Sequence, residues 1–326
     1  METKITLSEL IKPGNVAVVT GASSGIGRAA CLRFAQSGMT VWMVDVDEAE
    51  LGLAHQLVQE SQSAAAVGSD GNSTQIHARV VDVADEIAVQ ELATAVFARN
   101  GATHILMNNA GIGLGGGALT DMTTVQRVLN VNTYGPIHGC VAFVPKMKAS
   151  DQPGMVINTG SKQGITMPPG NLTYNISKAA LKAYTEGLEH EFMQERMEGV
   201  GKLRAALLVP GWVNTSILLK AQQHKASQQG QDFAVSSVSF HEEKPASGAW
   251  MPSQVIDFAI QEIDADRFYV ICPDNDVDRE TDNMRMTWTM QDVTHNRPPL
   301  SRWHPAYKDK FTEYVKAATE NRKSQA

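Results

Sequence analysis

The stretch Thr20-Gly21-Ala22-Ser23-Ser24-Gly25-Ile26-Gly27 constrains the fold more than any other part of the chain. It follows a β-branched run, Val16 to Thr20, and precedes a segment of helical spacing, Ile26 to Ser37, that stops before Gly38. Strand, glycine-rich turn and helix in that order open a βαβ unit. The backbone N–H groups of such a turn, together with the helix N-terminus, face an anion such as a pyrophosphate. Glycine is needed there because a Cβ would block the tight turn or the ligand's approach.

The alternation continues along the chain. Thr40 to Asp45 reads as a strand, Glu48 to Gln59 as a helix, and Ser61 to Thr74 as a mobile loop of small residues. Further strands are expected at Ile76 to Val83, His104 to Met107, Met155 to Thr159, Leu203 to Val209 and Arg267 to Ile271, with helices near 85–99, 122–148, 173–197 and 253–264. Strands alternating with helices imply parallel pairing through right-handed crossovers. The expected fold is therefore α/β, a doubly wound parallel sheet of Rossmann type with ligands at the carboxyl ends of its strands. Residues 216–250, rich in Gln, Ser and His, read as a long substrate-side loop or short helices. Asp276 to Asp292 and Pro305 to Ala318 have helical spacing, so residues 273–326 are expected to form a helical C-terminal extension to a catalytic domain spanning 1–272.

Composition narrows the function. With 28 basic against 35 acidic residues the net charge is −7, and no Lys/Arg stripe exists to neutralise a phosphate backbone, so nucleic acid is not an expected partner. Cys31, Cys140 and Cys272 lie far apart and lack zinc spacing, which predicts a reduced, cytoplasmic protein with neither disulfides nor a metal. Met1 to Asn15 has no secretory-type apolar segment and no run of ~18 apolar residues occurs, so no membrane association is expected. His190-Glu191 lacks the second histidine of a zinc protease motif, and the run Asp274, Asp276, Asp278, Glu280 reads as the solvated start of a helix.

Asp45 ends the second strand, close to the ~20 residues past the glycines at which a carboxylate accepts hydrogen bonds from an adenosine ribose. The same charge would repel a 2′-phosphate, and neither Ser24 nor Val46 supplies a cation, so the expected cofactor is NAD. Tyr174 and Lys178, four residues apart, share one face of a helix. A free phenol has a pKa of ~10, and a nearby ammonium favours its ionised form. Tyr174 could then take or give a proton at an alcohol or ketone.

These motifs, in this order and spacing over about residues 13 to 272, resemble the short-chain dehydrogenase/reductase family in its shorter form. The resemblance implies a catalytic set of Asn132, Ser161, Tyr174 and Lys178, with Ser161 holding the substrate oxygen, Lys178 the nicotinamide ribose, and Asn132 a water on a proton path. It implies cofactor contacts from Gly21, Ser23, Ser24, Gly25, Ile26 and Gly27 in the turn, Asp82 and Val83 at the adenine, and Asn109, Ala110 and Gly111 after the fourth strand. Pro210, Gly211, Val213 and Thr215, after the sixth strand, would line the nicotinamide site. It further implies hydride transfer from the pro-S face, and a homodimer or homotetramer built on the helices near 122–148 and 173–197. Met167-Pro168-Pro169, Trp212 and Ile217-Leu218-Leu219 should wall the substrate side, with Trp250 and Met251 able to close it, which suits a medium to large apolar or aromatic secondary alcohol or ketone. Two other readings stay open: a biosynthetic carbonyl reductase using NADPH, and a dinucleotide-binding sensor without turnover. Trp288, Trp303, Tyr307 and Phe311 of the extension are expected to cover the pocket rim or a neighbouring subunit.

Overall fold

The computed structural model describes residues 4–62, 75–228 and 247–323. The elements run α1 Leu7–Leu10, β1 Val16–Thr20, α2 Gly25–Gln36, β2 Thr40–Asp45, α3 Glu48–Glu60, β3 Ile76–Val80, α4 Glu86–Asn100 and β4 Ile105–Asn108. Then follow α5 Met122–Leu129, a π-helical turn Asn130–Tyr134, α6 Gly135–Ala149, β5 Gly154–Thr159, α7 Gln163–Thr166, α8 Leu172–Met197 and β6 Leu203–Val209. The chain continues through α9 Ile217–Gln228, α10 Pro252–Asp264, β7 Tyr269–Ile271, α11 Arg279–Thr294 and α12 Lys308–Lys323.

All seven strands pair in parallel in the order β3-β2-β1-β4-β5-β6-β7. A parallel sheet covered on both faces buries its central strands throughout, which is why β1 and β6 are largely apolar rather than alternating, Arg204 being the charged exception in β6. One face packs Ala17, Val19, Met43, Ile157 and Leu208 against α1, α2, α3 and α10. The other packs Val16, Val18, Leu106, Val156 and Ala205 against α4, α6 and α8. Toward the β7 edge this second face is covered instead by Ile165 of α7 and Met286 of α11, which meet Leu207, Val209 and Ile271. Among the described residues no helix is long and apolar enough to cross a membrane.

Several expected boundaries move. β3 stops at Val80 rather than Val83, because Val80 pairs with Asp45, the last residue of β2, and no partner strand remains beyond it. The chain then turns at Asp82, whose Oδ1 accepts a hydrogen bond from Ala84 N at 2.9 Å. The helix expected over 122–148 is broken by the π turn. Residues 216–250, expected as a long loop or short helices, begin with the helix α9; residues 229–246, like residues 63–74 of the small-residue loop, lie outside the described residues. β7 starts at Tyr269 rather than Arg267, α11 starts at Arg279 behind the capping carboxylate of Asp278, and α1 has no signal in the sequence.

The aromatic residues of the extension pack mainly on one another. Trp288 is buried, its Nε1 donates to Ser301 Oγ at 2.7 Å, and its ring lies 5.3 Å from Phe311 and 5.2 Å from Tyr314. The Arg297 guanidinium sits 3.9 Å from its centroid. Trp250 sets its ring edge-on to Phe258 of α10 at 5.5 Å.

Candidate active site

The strand order reverses between β1 and β4, and the carboxyl ends of these strands flank the crevice in which doubly wound sheets hold ligands. The turn after β1 is pressed against the segment after β4. Gly21 has φ +66° and an added Cβ would lie 2.8 Å from Ala110 Cα, while one on Gly27 would overlap the Gly21 carbonyl oxygen. Thr20 Oγ1 accepts from Asn109 N at 3.0 Å and Ala110 N at 3.1 Å, and Asn109 Nδ2 donates to the Thr20 carbonyl at 3.2 Å. Ser24 stands at the N-cap of α2, Gly25 has φ +54°, Ile26 is buried, and Ser23 Oγ is buried with no hydrogen-bond partner. The Asp45 carboxylate closes the turn from the side, accepting from Ser23 N at 3.0 Å through Oδ2 and from Val46 N at 2.8 Å through Oδ1. A cradle without Cβ atoms, with an unpartnered hydroxyl and a helix N-terminus, fits a dinucleotide.

Asp82 and Val83 stand outside this network, after β3; Val83 is buried, its carbonyl accepts from His138 Nδ1 at 2.9 Å, and a Cβ on Gly135 would lie 2.8 Å from its Cγ2.

Asn132 and Lys178 meet beside Gly111, where an added Cβ would lie 3.4 Å from Asn132 Oδ1 and 3.6 Å from Lys178 Nζ. Asn132 lies in the π turn, fully buried; its Oδ1 accepts from Ile112 N at 2.8 Å, and its Nδ2 donates to Ile112 O at 3.0 Å and Ser177 Oγ at 3.1 Å. Its amide is thus engaged at both ends by protein, which makes the side chain a brace for Ile112. Ser161, just after β5, accepts from Gln163 N at 3.2 Å, and its hydroxyl stands near enough to the Tyr174 phenol to favour the ionised form. Tyr174 and Lys178 are one turn apart on α8, with Nζ 5.8 Å from the ring centroid and donating to the Thr159 carbonyl at 2.8 Å.

Burial pushes the Tyr174 phenol above its ordinary range, opposed by the Ser161 hydroxyl. The same desolvation pulls the Lys178 ammonium down to about 8. The lysine therefore does not by itself bring the phenol below its free value; the low-dielectric setting penalises both charged forms and makes each sensitive to added charge.

Pro210, Gly211, Val213 and Thr215 follow β6 as expected. Val213 bridges in parallel to Trp250, and Trp250 N donates to Trp212 O at 2.9 Å. Ser216 Oγ donates to Ser24 Oγ at 2.8 Å, tying this segment to the glycine turn. Toward the substrate side, Met167 holds φ +47°, Trp212 is 56% exposed, and Ile217 Cγ1 would lie 3.2 Å from a Cβ on Gly113. Thr20, Thr159 and Ser216 carry no signal in the sequence, because a lone hydroxyl has no diagnostic spacing. The acidic run is not uniformly solvated: Asp274 is largely buried and pairs with Lys162 at 3.5 Å.

Comparison with known proteins gives the same family. The model of the short chain dehydrogenase family, adh_short, matches residues 15–226. The oxidoreductase SadH of Mycobacterium tuberculosis is 32% identical over 209 residues, covering 64% of this chain and 70% of its own. The 1-deoxy-11-beta-hydroxypentalenate dehydrogenase of Streptomyces avermitilis is 35% identical over 204 residues, covering 62% and 69%. The crystal structure of a short chain dehydrogenase/reductase from Burkholderia phymatum in complex with NAD superposes with a TM-score of 0.72 at 27% identity, over 88% of this chain and 96% of that one. With its seven-stranded parallel sheet and its glycine turn, the chain belongs to the short-chain dehydrogenase/reductase family of oxidoreductases.

Proposed function

We propose that the protein is a NAD-dependent dehydrogenase that interconverts a secondary alcohol and its ketone, the substrate being medium to large and apolar or aromatic. The observation that carries this reading is the chain of neighbours from Gly111, beside the glycine cradle, through Asn132 and Lys178 to Tyr174 and on to Ser161. In oxidation the Tyr174 phenolate takes the substrate hydroxyl proton, and in reduction the phenol returns it. The Ser161 hydroxyl donates to the substrate oxygen and stabilises the charge that develops there. Lys178 supplies the nearby positive charge, and Asn132 holds the segment that carries Gly111. NAD, when bound, supplies the hydride acceptor.

The turn residues Gly21, Ser23, Ser24, Gly25, Ile26 and Gly27 would hold its pyrophosphate, with Asp82, Val83, Asn109, Ala110 and Gly111 along the adenosine and ribose side and Pro210, Gly211, Val213 and Thr215 at the nicotinamide. Asp45 favours NAD over NADP, since its carboxylate is already fixed over the turn and would repel a 2′-phosphate. Met167, Trp212 and Ile217 make an apolar substrate wall, and a relative at 35% identity is named for a hydroxylated substrate. Exposed Met122, Tyr134, Val141 and Ile176 on α5, the π turn, α6 and α8 suit assembly into a homodimer or homotetramer, and three buried free cysteines suit a reducing, cytoplasmic compartment.

The test is a screen of steroid, aryl and terpenoid secondary alcohols with NAD, following absorbance of the reduced cofactor, with Tyr174→Phe in parallel. Turnover that falls ~10³-fold in the Phe variant supports the reading. Equal turnover by the two proteins sinks it.

A further inference from the structure

Lys162, the residue after Ser161, is held by carboxylates that lie more than a hundred positions away. Its Nζ is ion-paired with Asp282 of α11 and lies 3.5 Å from Asp274 Oδ2 in the β7–α11 connection. All three side chains are largely buried, and Arg285 approaches Asp282 at 3.8 Å. Asp274 also fixes backbone on both sides of the ion pair. Its Oδ2 accepts from Trp212 N at 3.0 Å, and its Oδ1 accepts from Val277 N at 2.8 Å and Asp276 N at 3.1 Å. The Lys162–Asp274 contact passes directly over Gly211, where an added Cβ would lie 2.7 Å from Lys162 Nζ and 2.8 Å from Asp274 Oδ2.

Three segments are therefore joined at one point: the Ser161 segment, the segment 210–215 and the C-terminal extension. The lysine backbone transmits this to the reacting groups. The Lys162 carbonyl accepts from Ile165 N at 3.1 Å and Thr166 N at 3.0 Å, which forms α7, and a Cβ on Gly164 of α7 would lie 2.6 Å from the carbonyl carbon of Lys178. α7 is thus packed between α11 and the turn of α8 that carries Lys178.

We infer that Lys162, clamped by Asp274 and Asp282, is a positioning residue that sets Ser161 and the segment 210–215 relative to Tyr174, so that the C-terminal extension is a working part of the active site. The inference rests on the dehydrogenase reading above. Buried charges suit this role because a pair broken on one side leaves an uncompensated charge, giving the arrangement one strongly preferred geometry. Displacement of a reacting group by about 1 Å costs up to ~100-fold in rate while leaving binding of remote cofactor groups intact.

The test compares Lys162→Met, Lys162→Arg and Asp282→Asn with the unaltered protein and with Tyr174→Phe. Expected for Lys162→Met and Asp282→Asn is a kcat at least about tenfold lower, a loss larger than any rise in the NAD dissociation constant, and partial recovery of kcat in Lys162→Arg. Hydrogen exchange provides a readout independent of turnover: the Asn variant, which keeps the side-chain shape, should lose protection in residues 161–167 and at Trp212 while β1, β4 and β5 stay protected. Unchanged exchange in those two segments, or a wild-type kcat in both Lys162→Met and Asp282→Asn, overturns the inference. If Tyr174→Phe keeps its turnover the dehydrogenase reading fails instead, and the exchange comparison still decides the clamp.

Discussion

Lys178 Nζ lies 5.8 Å from the centre of the Tyr174 ring and directs its hydrogen bond away from it, to the Thr159 carbonyl at 2.8 Å. The ammonium thus acts on the phenol through space. Oxidation needs the ionised phenol, so its kcat/KM should rise with pH, and reduction, which needs the protonated form, should fall over the same interval. The inflection belongs to the pair rather than to either group. Replacing Lys178 with Met removes the positive charge and should move the inflection for oxidation to higher pH by about one unit or more, each unit being worth about 1.4 kcal/mol. A Lys178→Met profile that keeps the wild-type inflection contradicts the electrostatic role.

The same lysine should cost stability. It is 4% exposed, and burial holds it at about 8 against an ordinary value of 10.5, so the unfolded chain binds its proton more tightly than the folded one. The penalty is present below about 8 and fades as pH rises toward 10.5. Lys178→Met should therefore stabilise the cofactor-free protein at pH 7, by on the order of 2 kcal/mol less the lost bond to Thr159, and by less at pH 10. Thermal unfolding at the two pH values checks both the sign and the trend.

Asp45 holds the backbone of Ser23 and closes the glycine turn at 3.0 Å. Asp45→Ala should weaken NAD binding about tenfold and narrow the gap to NADP, because one charge both accepts ribose hydroxyls and repels a 2′-phosphate. Titration of both cofactors gives the comparison; an unaltered NAD preference would count against the assignment.

Gly27 leaves no room for a side chain. Its Cβ would overlap the Gly21 carbonyl, a backbone atom that cannot swing aside. Gly27→Ala should lose about 2 kcal/mol or more of stability together with dinucleotide binding. Gly52, on α3, has nothing within 4 Å of an added Cβ, so Gly52→Ala should be neutral or slightly stabilising in the same melting experiment.

Local pattern makes much of the fold legible. β6 runs from Leu203 to Val209 as expected, because a strand buried on both faces writes itself as a mostly apolar run, broken here only by Arg204. The pattern carries β3 three residues too far, since Val81 and Val83 keep strand character although β2 has ended at Asp45. The π turn at Asn132 leaves no trace in the periodicity; what holds its side chain is the backbone of Ile112, supplied by another segment.

The sequence by itself determined the alternation of strands and helices, the glycine turn and the Tyr174–Lys178 pair, because each is encoded in residue types at short spacing, while Asn132 and Ser161 were implied by the family resemblance. Only the tertiary structure decided that Asp274 is an internal partner of Lys162 instead of a solvated helix start, that Asn132 braces Ile112, and that the extension docks behind the Ser161 segment. Those outcomes depend on which charged and polar groups lose water together, and desolvation is a property of the packed chain rather than of any stretch within it.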